Sequence, residues 1–170
     1  MKKLILTLIL IAFAINIKAQ DIKTLPTFQV LKTDGTYFTQ DNLKKDSRIM
    51  VIYFGSDCSH CKLYTKELLK HMDVLSKVQI LMITWAQLKE IQDFYNEMGL
   101  AKYPNFIVTT EGHSAKLYRF YDVKTTPYTA VYDQKHFLVK TFDKSPVIDS
   151  LLATVSSSHN SPLKVRDTRW

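Results

Sequence analysis

The stretch that decides the fold is residues 52–69, IYFGSDCSHCKLYTKELL. It begins in an apolar run, contains two cysteines two residues apart, and ends in apolar residues at helical spacing. Cys58 and Cys61 are the two cysteines of the 170-residue chain. A pair with this spacing can exchange disulfides, supply half of a metal site or close a small structural disulfide.

The position of the pair between a predicted strand and a predicted helix favours redox chemistry. The first cysteine would lie where a helix offers unpaired N–H groups and the positive end of its dipole, which stabilise a thiolate. The second would lie one helical turn later, close enough to attack a mixed disulfide. We therefore predict that Cys58 attacks and that Cys61 resolves.

The residues beside the cysteines could tune this chemistry. A protonated or hydrogen-bonding imidazole at His60 would favour the Cys58 thiolate, whereas an imidazole that faces solvent would have no such effect. Asp57 would oppose the thiolate if it lay close, or would serve the helix N-terminus. Both interpretations of each residue stay open.

The other uses of two cysteines are less well supported. A zinc site needs four ligands, and the sequence has no second Cys or His pair with ligand spacing, so we predict no metal site. Copper binding by two thiolates and a histidine is an alternative. A structural disulfide that closes so small a loop would remove little unfolded-state entropy. Since no Gly-rich dinucleotide motif occurs, we expect no cofactor beyond the redox-active disulfide itself.

The two ends of the chain differ from the rest. Residues 1–19, MKKLILTLILIAFAINIKA, resemble a signal peptide, because two lysines precede an apolar run shorter than the roughly 20 residues that span a bilayer. We predict cleavage after Ala19, with an uncleaved membrane anchor as the alternative, and a periplasmic or secreted protein. Residues 20–158 then form the domain, and the polar residues 159–170 form a C-terminal tail.

The charge of the chain argues against a nucleic-acid-binding role. The formal net charge of +7 falls to +4 once Lys2, Lys3 and Lys18 are set aside with the signal peptide. The remaining basic residues are scattered, with no dense run and no interleaved aromatics. A mildly basic surface weakly favours acidic partners or anionic membrane surfaces, so proximity to a membrane is part of the prediction.

Predicted strands and helices alternate along the chain. Strands are predicted at residues 27–31, 49–54, 78–85, 105–110, 128–133 and 137–142, with a hairpin turn at Asp34-Gly35. Helices are predicted at residues 59–76, 86–100, 114–121 and 145–155, the last with Ser145 as N-cap and Pro146 in the first turn. The two continuous apolar runs at 49–54 and 78–85 predict strands buried on both faces. This order predicts an α/β three-layer sandwich in which helices flank a central mixed sheet and the last two strands are antiparallel.

The motifs FGSDCSHCK and, before a later strand, TTPY at residues 125–128 resemble those of the thioredoxin superfamily. Within it, the chain is similar to extracytoplasmic thiol–disulfide oxidoreductases of the TlpA/ResA type. Residues 25–45, LPTFQVLKTDGTYFTQDNLKK, are similar to their N-terminal hairpin, and the extra helix and strand before TTPY are similar to their central insertion. The resemblance covers residues 25–155 and implies a thioredoxin-like fold.

The resemblance also implies functional residues and partners. It implies a cis bond at Pro127 and, with Thr126, a substrate groove that faces the cysteines and pairs with a client peptide as an added strand. The expected partners are client proteins with cysteines and a membrane or soluble thiol carrier that resets the pair. The alternative function is a thioredoxin-like module that binds a partner or handles copper without redox turnover.

The sequence departs from this family at the positions of its acids. Ile52 replaces the buried acid of thioredoxins, and Tyr64 replaces the glutamate of ResA-like proteins, so neither position supplies an acid to deprotonate Cys61. His60, in contrast, is shared with oxidants of the DsbA kind, so the direction of electron flow stays open. Peroxiredoxins need a threonine or serine in a proline-containing turn before the reactive cysteine. Residues 54–57 offer no such turn, so we predict that the chain is not a peroxidase.

Overall fold

The computed structural model describes residues 23–157, so the predicted signal peptide and the predicted tail lie outside the described residues. Within residues 23–157, seven strands form one sheet in the order β2-β1-β5-β4-β3-β6-β7. The strands are β1 (Gln29–Lys32), β2 (Tyr37–Thr39), β3 (Ile49–Tyr53), β4 (Gln79–Thr84), β5 (Phe106–Thr110), β6 (Tyr128–Tyr132) and β7 (Leu138–Phe142).

Five α-helices of this part of the chain accompany the sheet. They are α1 (Ser59–Leu69), α2 (Met72–Leu75), α3 (Leu88–Glu97), α4 (Lys116–Phe120) and α5 (Ile148–Ser156). Short 3-10 helices cover Gln40–Asn42, Leu100–Lys102 and Gly112–Ser114. Among the described residues, no helix has both the length and the apolar character needed to cross a membrane.

The pairing of the strands brings two loops to one edge of the sheet. β3, β4 and β5 run parallel, so their carboxyl ends share an edge. β6 runs antiparallel to β3, with Tyr53 opposite Tyr128, so the start of β6 reaches the same edge. The loop after β3, which carries both cysteines, therefore lies beside the loop before β6, which carries Pro127.

The core lies on both faces of the sheet. Every residue of β3 and β4 is buried, as their continuous apolar runs predict. Met50 and Ile52 pack in a cluster with residues of α1, α2, α3 and α5, whereas the alternate residues Ile49, Val51 and Tyr53 pack with α4 on the other face. The predicted three-layer α/β sandwich with a mixed sheet and an antiparallel final pair is thereby confirmed.

The predicted helix at residues 59–76 is interrupted. α1 ends at Leu69, and the backbone of His71 (φ −115°, ψ 34°) leaves helical values before α2 begins. The His71 N–H donates to the carbonyl of Leu68, three residues back, which tightens the end of α1. The apolar spacing continues across the break, so periodicity alone predicted one helix.

The predicted start of the last helix is wrong. Val147 is the N-cap of α5, with extended backbone (φ −61°, ψ 124°), and Ser145 and Pro146 precede it outside any helix. A serine followed by a proline is the usual pattern of a helix start, but here the extended backbone of Val147 delays the first helical turn to Ile148.

The two outer strands of the sheet are short or covered. β2 has three residues. At β7, Thr24 forms a bridge with Phe137, the Leu25 N–H donates to the His136 carbonyl (3.0 Å), and the Leu138 N–H donates to the Lys23 carbonyl (2.8 Å). Residues 23–25 thus cover the beginning of β7.

Leu68→Ala is expected to destabilise the domain by about 2–5 kcal/mol, because the fully buried Leu68 side chain joins α1 to the sheet and its loss leaves a cavity. Leu63→Ala, on the same helix at 65% exposure, is the matched control and should change the free energy of unfolding by less than about 0.5 kcal/mol. Urea unfolding of the three proteins measures both values. Equal effects of the two variants would contradict this packing of α1.

Candidate active site

Cys58 lies at the N-terminus of α1. It is the N-cap residue, with extended backbone (φ −73°, ψ 116°), and its carbonyl accepts the first helical hydrogen bond from Lys62 N–H (3.1 Å). Its Sγ accepts a hydrogen bond from the Cys61 N–H at 3.4 Å, in the way that a serine or aspartate side chain caps a helix. The sulfur is partly exposed, so it meets both solvent and the positive end of the helix.

Cys61 lies one turn later and is buried, at 1% exposure. Its Sγ accepts a hydrogen bond from the Gly55 N–H at 3.4 Å. Both cysteines are free thiols, so the structure describes the reduced form of the pair. Of the two sulfurs, Cys58 is therefore the one that a large substrate can reach.

Gly55 holds the loop close to both cysteines. A Cβ on Gly55 would lie 3.1 Å from the Cβ of Cys58, a tight contact, and the Gly55 carbonyl accepts from the Cys58 N–H at 3.3 Å. Sequence reasoning did not assign Gly55 a role. Its position three residues before Cys58, in a chain with four glycines, was the available signal.

The loop before β6 lies beside Cys58. The Thr126–Pro127 peptide bond is cis, and Pro127 is buried directly before β6. The Thr126 hydroxyl donates to Cys58 Sγ at 3.9 Å. The structure thus brings together four of the predicted site residues, Cys58, Cys61, Thr126 and Pro127.

His60 lies on the exposed side of this turn. Its backbone N–H interacts with Cys58 and lowers the pKa of that thiol. Within residues 23–157 its imidazole makes no hydrogen bond. Any contribution of His60 seen in the structure therefore comes from its main chain.

The two thiols have opposite pKa shifts. Burial opposes ionisation of Cys58, but hydrogen bonds from Cys61, Thr126 and His60 outweigh it and hold the pKa of Cys58 below its usual value. Burial raises the pKa of Cys61 to about 12, and the neighbouring Cys58 sulfur adds to this effect. The pair thus combines a partly exposed thiol whose ionisation is favoured with a buried thiol whose ionisation is opposed.

A buried pair of hydroxyls lies behind Cys61. The Tyr64 hydroxyl, one turn after Cys61 on α1, and the Thr129 hydroxyl on β6 are hydrogen-bonded at 3.2 Å. Ile52 lies opposite Thr129 in the sheet and packs in the same cluster as Cys61. The two positions where the family resemblance implied an acid therefore hold an apolar side chain and a hydroxyl engaged with Thr129. The sequence pattern did not indicate that Thr129 takes part.

The described residues contain no cluster of three or more His, Cys, Asp and Glu side chains arranged to hold a metal ion. The partly exposed Cys58 and the buried Cys61 are thus a two-sulfur site in this part of the chain. Its hydrogen-bond donors are main-chain N–H groups and the Thr126 hydroxyl.

Thr126→Val is expected to raise the pKa of Cys58 toward that of an ordinary thiol, because the variant keeps the side-chain shape but removes a hydroxyl that favours the thiolate. Thiolate absorbance followed during a pH titration measures the change, and the rate of alkylation at neutral pH should fall several-fold. Thr125→Val is the control, since the exposed Thr125 hydroxyl donates to the Asp143 carbonyl. Similar titration curves for wild type and Thr126→Val would contradict the assignment.

Comparison with known proteins gave one family and a set of similar folds. The family model described as AhpC/TSA matches residues 22–141. Among the solved structures, a secreted Mycobacterium tuberculosis disulfide oxidoreductase homologous to E. coli DsbE is 17% identical, with a TM-score of 0.62 over 75% of this chain and 93% of that chain. No curated protein matches the chain.

Two further structures have the same fold. A thiol-disulfide oxidoreductase from Bacteroides fragilis NCTC 9343 is 13% identical, with a TM-score of 0.63 over 76% of this chain and 97% of that chain. A thiol peroxidase from Chromobacterium violaceum is 14% identical, with a TM-score of 0.64 over 75% of this chain and 81% of that chain. At these identities the similarity shows the fold and leaves the reaction to be argued from the site.

Proposed function

This chain belongs to the AhpC/TSA family of thioredoxin-like oxidoreductases, and on that premise we propose that it exchanges thiols and disulfides with proteins outside the cytoplasm. Its membership of the thioredoxin superfamily, predicted from the sequence, is confirmed. The reacting groups in this proposal are Cys58 and Cys61, in the motif Cys58-Ser59-His60-Cys61.

The observation that carries the proposal is the contrast between the two sulfurs. Cys58 is partly exposed, caps a helix and accepts hydrogen bonds that favour its thiolate, whereas Cys61 is buried one turn away. An accessible thiolate next to a protected thiol is what two-step exchange requires, because one sulfur must meet the substrate and the other must reach only its neighbour.

Exchange by the reduced pair proceeds in two displacements. The Cys58 thiolate attacks one sulfur of a client disulfide, a mixed disulfide forms, and the other client sulfur leaves as a thiolate. Cys61 then loses its proton and attacks Cys58 Sγ, which forms the Cys58–Cys61 disulfide and releases the second client thiolate. The reverse sequence oxidises a client. The two cysteines themselves carry the two electrons as thiols and give them up on forming the disulfide, so the proposed reaction needs no further cofactor.

Thr126 and Pro127 form the proposed substrate groove. They lie beside Cys58 at the edge of the sheet, and the main chain before Pro127 is available to pair with an extended client peptide. The partners in this proposal are client proteins that carry cysteines and a membrane or soluble thiol carrier that resets the pair.

The location outside the cytoplasm rests on the sequence of residues 1–19, which has the lysines and the apolar run of a signal peptide. Disulfides also form and persist in oxidising compartments, which agrees with this location. We propose that the working domain is residues 20–158 and that residues 159–170 form a tail.

Peroxide reduction is the second candidate function, because the family is the one named AhpC/TSA and one of the similar structures is a thiol peroxidase. Against it, the turn before Cys58 runs Phe54-Gly55-Ser56-Asp57 and has no proline. The buried Cys61 one turn from Cys58 also favours disulfide exchange within the pair over reaction with a distant partner cysteine.

A titration in glutathione buffers tests the proposed function. The protein is equilibrated at a series of ratios of reduced to oxidised glutathione, its thiols are alkylated, and the two forms are separated by mass. We expect one reversible transition that involves both cysteines. Without such a transition the proposal fails, and binding to a partner or to copper becomes the function to test. Oxidation by one equivalent of hydrogen peroxide faster than by oxidised glutathione would favour the peroxidase.

A further inference from the structure

The surroundings of the two sulfurs differ in a way that bears on the direction of electron flow. Cys58 Sγ accepts from the Cys61 N–H, and the His60 N–H and the Thr126 hydroxyl also favour its thiolate. Cys61 Sγ accepts from the Gly55 N–H inside an apolar cluster. The Gly55 N–H and the Thr126 hydroxyl also favour a thiolate on Cys61, but they do not offset its burial. The protein therefore stabilises a negative charge chiefly on Cys58. This stabilises the reduced form, since neither sulfur carries a charge in the disulfide.

No base lies next to Cys61 in the described part of the chain. The two positions where the family resemblance implied an acid hold Ile52, which is apolar, and Tyr64, whose hydroxyl is already paired with Thr129 at 3.2 Å. Burial also raises the pKa of the Tyr64 hydroxyl, so that group stays neutral. In residues 23–157 no carboxylate contacts Cys61 Sγ. In the mixed disulfide, where Cys58 carries no charge, no carboxylate of these residues is placed to take the proton of Cys61.

We propose that the Cys58–Cys61 disulfide acts as an oxidant that takes two electrons from reduced dithiol segments of client proteins. The inference rests on the proposed function and adds the direction of the reaction and the class of substrate. It follows from the geometry because the contacts that favour the reduced pair are present and the base that a reductase would need for Cys61 is missing within residues 23–157.

The oxidation balances in two steps. A client thiolate attacks the accessible Cys58 Sγ, the Cys58–Cys61 bond breaks, and Cys61 leaves and takes up a proton. A second client thiolate then attacks the client sulfur of the mixed disulfide, a client disulfide forms, and Cys58 leaves as a thiolate. The client dithiol releases two protons to solvent as its thiolates form and loses two electrons to the pair. Cys61 takes up one proton from solvent, so the net release is one proton.

The missing base decides the fate of the mixed disulfide. Cys61 could attack Cys58 and return the client unchanged, but it must first lose a proton from a buried site. The second client thiolate faces no such barrier, so the reaction continues toward the oxidised client. The reduced pair is then reoxidised by a partner that carries a disulfide. Oxidised glutathione takes the place of that partner in the glutathione titration.

Equilibration with thioredoxin tests the direction. Oxidised protein and reduced thioredoxin are mixed in equal amounts, quenched with an alkylating agent and separated by mass. We expect reduced protein and oxidised thioredoxin to predominate, with an equilibrium constant for their formation of at least about 100. A constant of one or less overturns the inference. The proposed function survives that result if the glutathione titration still gives a reversible transition, and falls if it does not.

A matched pair of variants tests the role of the missing base. Tyr64→Glu places a carboxylate one turn after Cys61, and Tyr64→Gln removes the same hydrogen bond to Thr129 without adding a base. The rate at which Cys61 attacks a preformed mixed disulfide at Cys58 and releases the client thiol should be at least about tenfold higher in Tyr64→Glu than in Tyr64→Gln. Equal rates in two folded variants would contradict the inference. If either variant fails to fold, the equilibrium of the wild type with thioredoxin decides the question.

Discussion

Cys58→Ser is expected to reduce thiol–disulfide exchange to the uncatalysed level, whereas Cys61→Ser is expected to keep the first attack and to accumulate mixed disulfides. Cys58 is the partly exposed cysteine whose surroundings favour the thiolate, and serine at that position is not nucleophilic at neutral pH. Cys61→Ser leaves that thiolate in place but removes the sulfur that would displace the client. Exchange with a peptide disulfide, followed by mass analysis of the alkylated protein, measures both results.

The buried position of Cys61 makes the contrast between these variants strong. Ser59→Ala is the control, because the exposed Ser59 side chain lies between the cysteines without contacting either sulfur in the described residues. The assignment of roles would be wrong if Cys61→Ser lost the first attack while Cys58→Ser kept it. Absence of any mixed disulfide in Cys61→Ser would count against exchange as the function.

The displacement of a bound thiol by Cys61 is expected to accelerate about tenfold for each pH unit between pH 7 and pH 10, or about a thousandfold in all. The attacking form of Cys61 is its thiolate, and burial raises the pKa of Cys61 to about 12. The thiolate fraction therefore rises with pH over this whole range. The charge of Cys58 is absent in a mixed disulfide, but burial, the larger cause of the shift, remains.

A chromogenic mixed disulfide measures this step directly. Cys58 is first coupled to thionitrobenzoate in a single turnover, and the absorbance of the released thiolate is followed at each pH. Cys61→Ser should release none by this route, which makes it the control. A plateau of the rate between pH 7 and pH 8 would mean that a base assists Cys61, and would contradict the arrangement of Ile52, Tyr64 and Thr129 described above.

The sequence predicted the parts of this site that depend on chain order. An apolar strand followed by Cys58 and Cys61 fixed the place of both sulfurs at a helix N-terminus, because the same few residues form the strand end and the first turn. The later Thr126-Pro127, carried over from the family resemblance, lies next to Cys58 because β6 pairs with β3.

The parts that escaped prediction depend on contacts between distant residues. Tyr64 and Thr129 are 65 residues apart, and their hydrogen bond exists because helix α1 packs over β6 in one particular register. Gly55 has a role because the folded loop brings its N–H to a sulfur six residues later. The exposure of His60 follows from which side of α1 meets the sheet. None of these is contained in a local pattern.

The short β2 strand and the covered start of β7 have a consequence for self-association. A redox protein must expose a reactive sulfur, and an open strand edge beside it would invite aggregation through added strands. Here β2 offers only three residues, and residues 23–25 cover the start of β7. The start of β7 is therefore closed to strand addition, and the main chain before Pro127 is where a client is expected to pair. Dimers of this chain, where they form, should be linked by a disulfide through Cys58 and should dissociate on reduction.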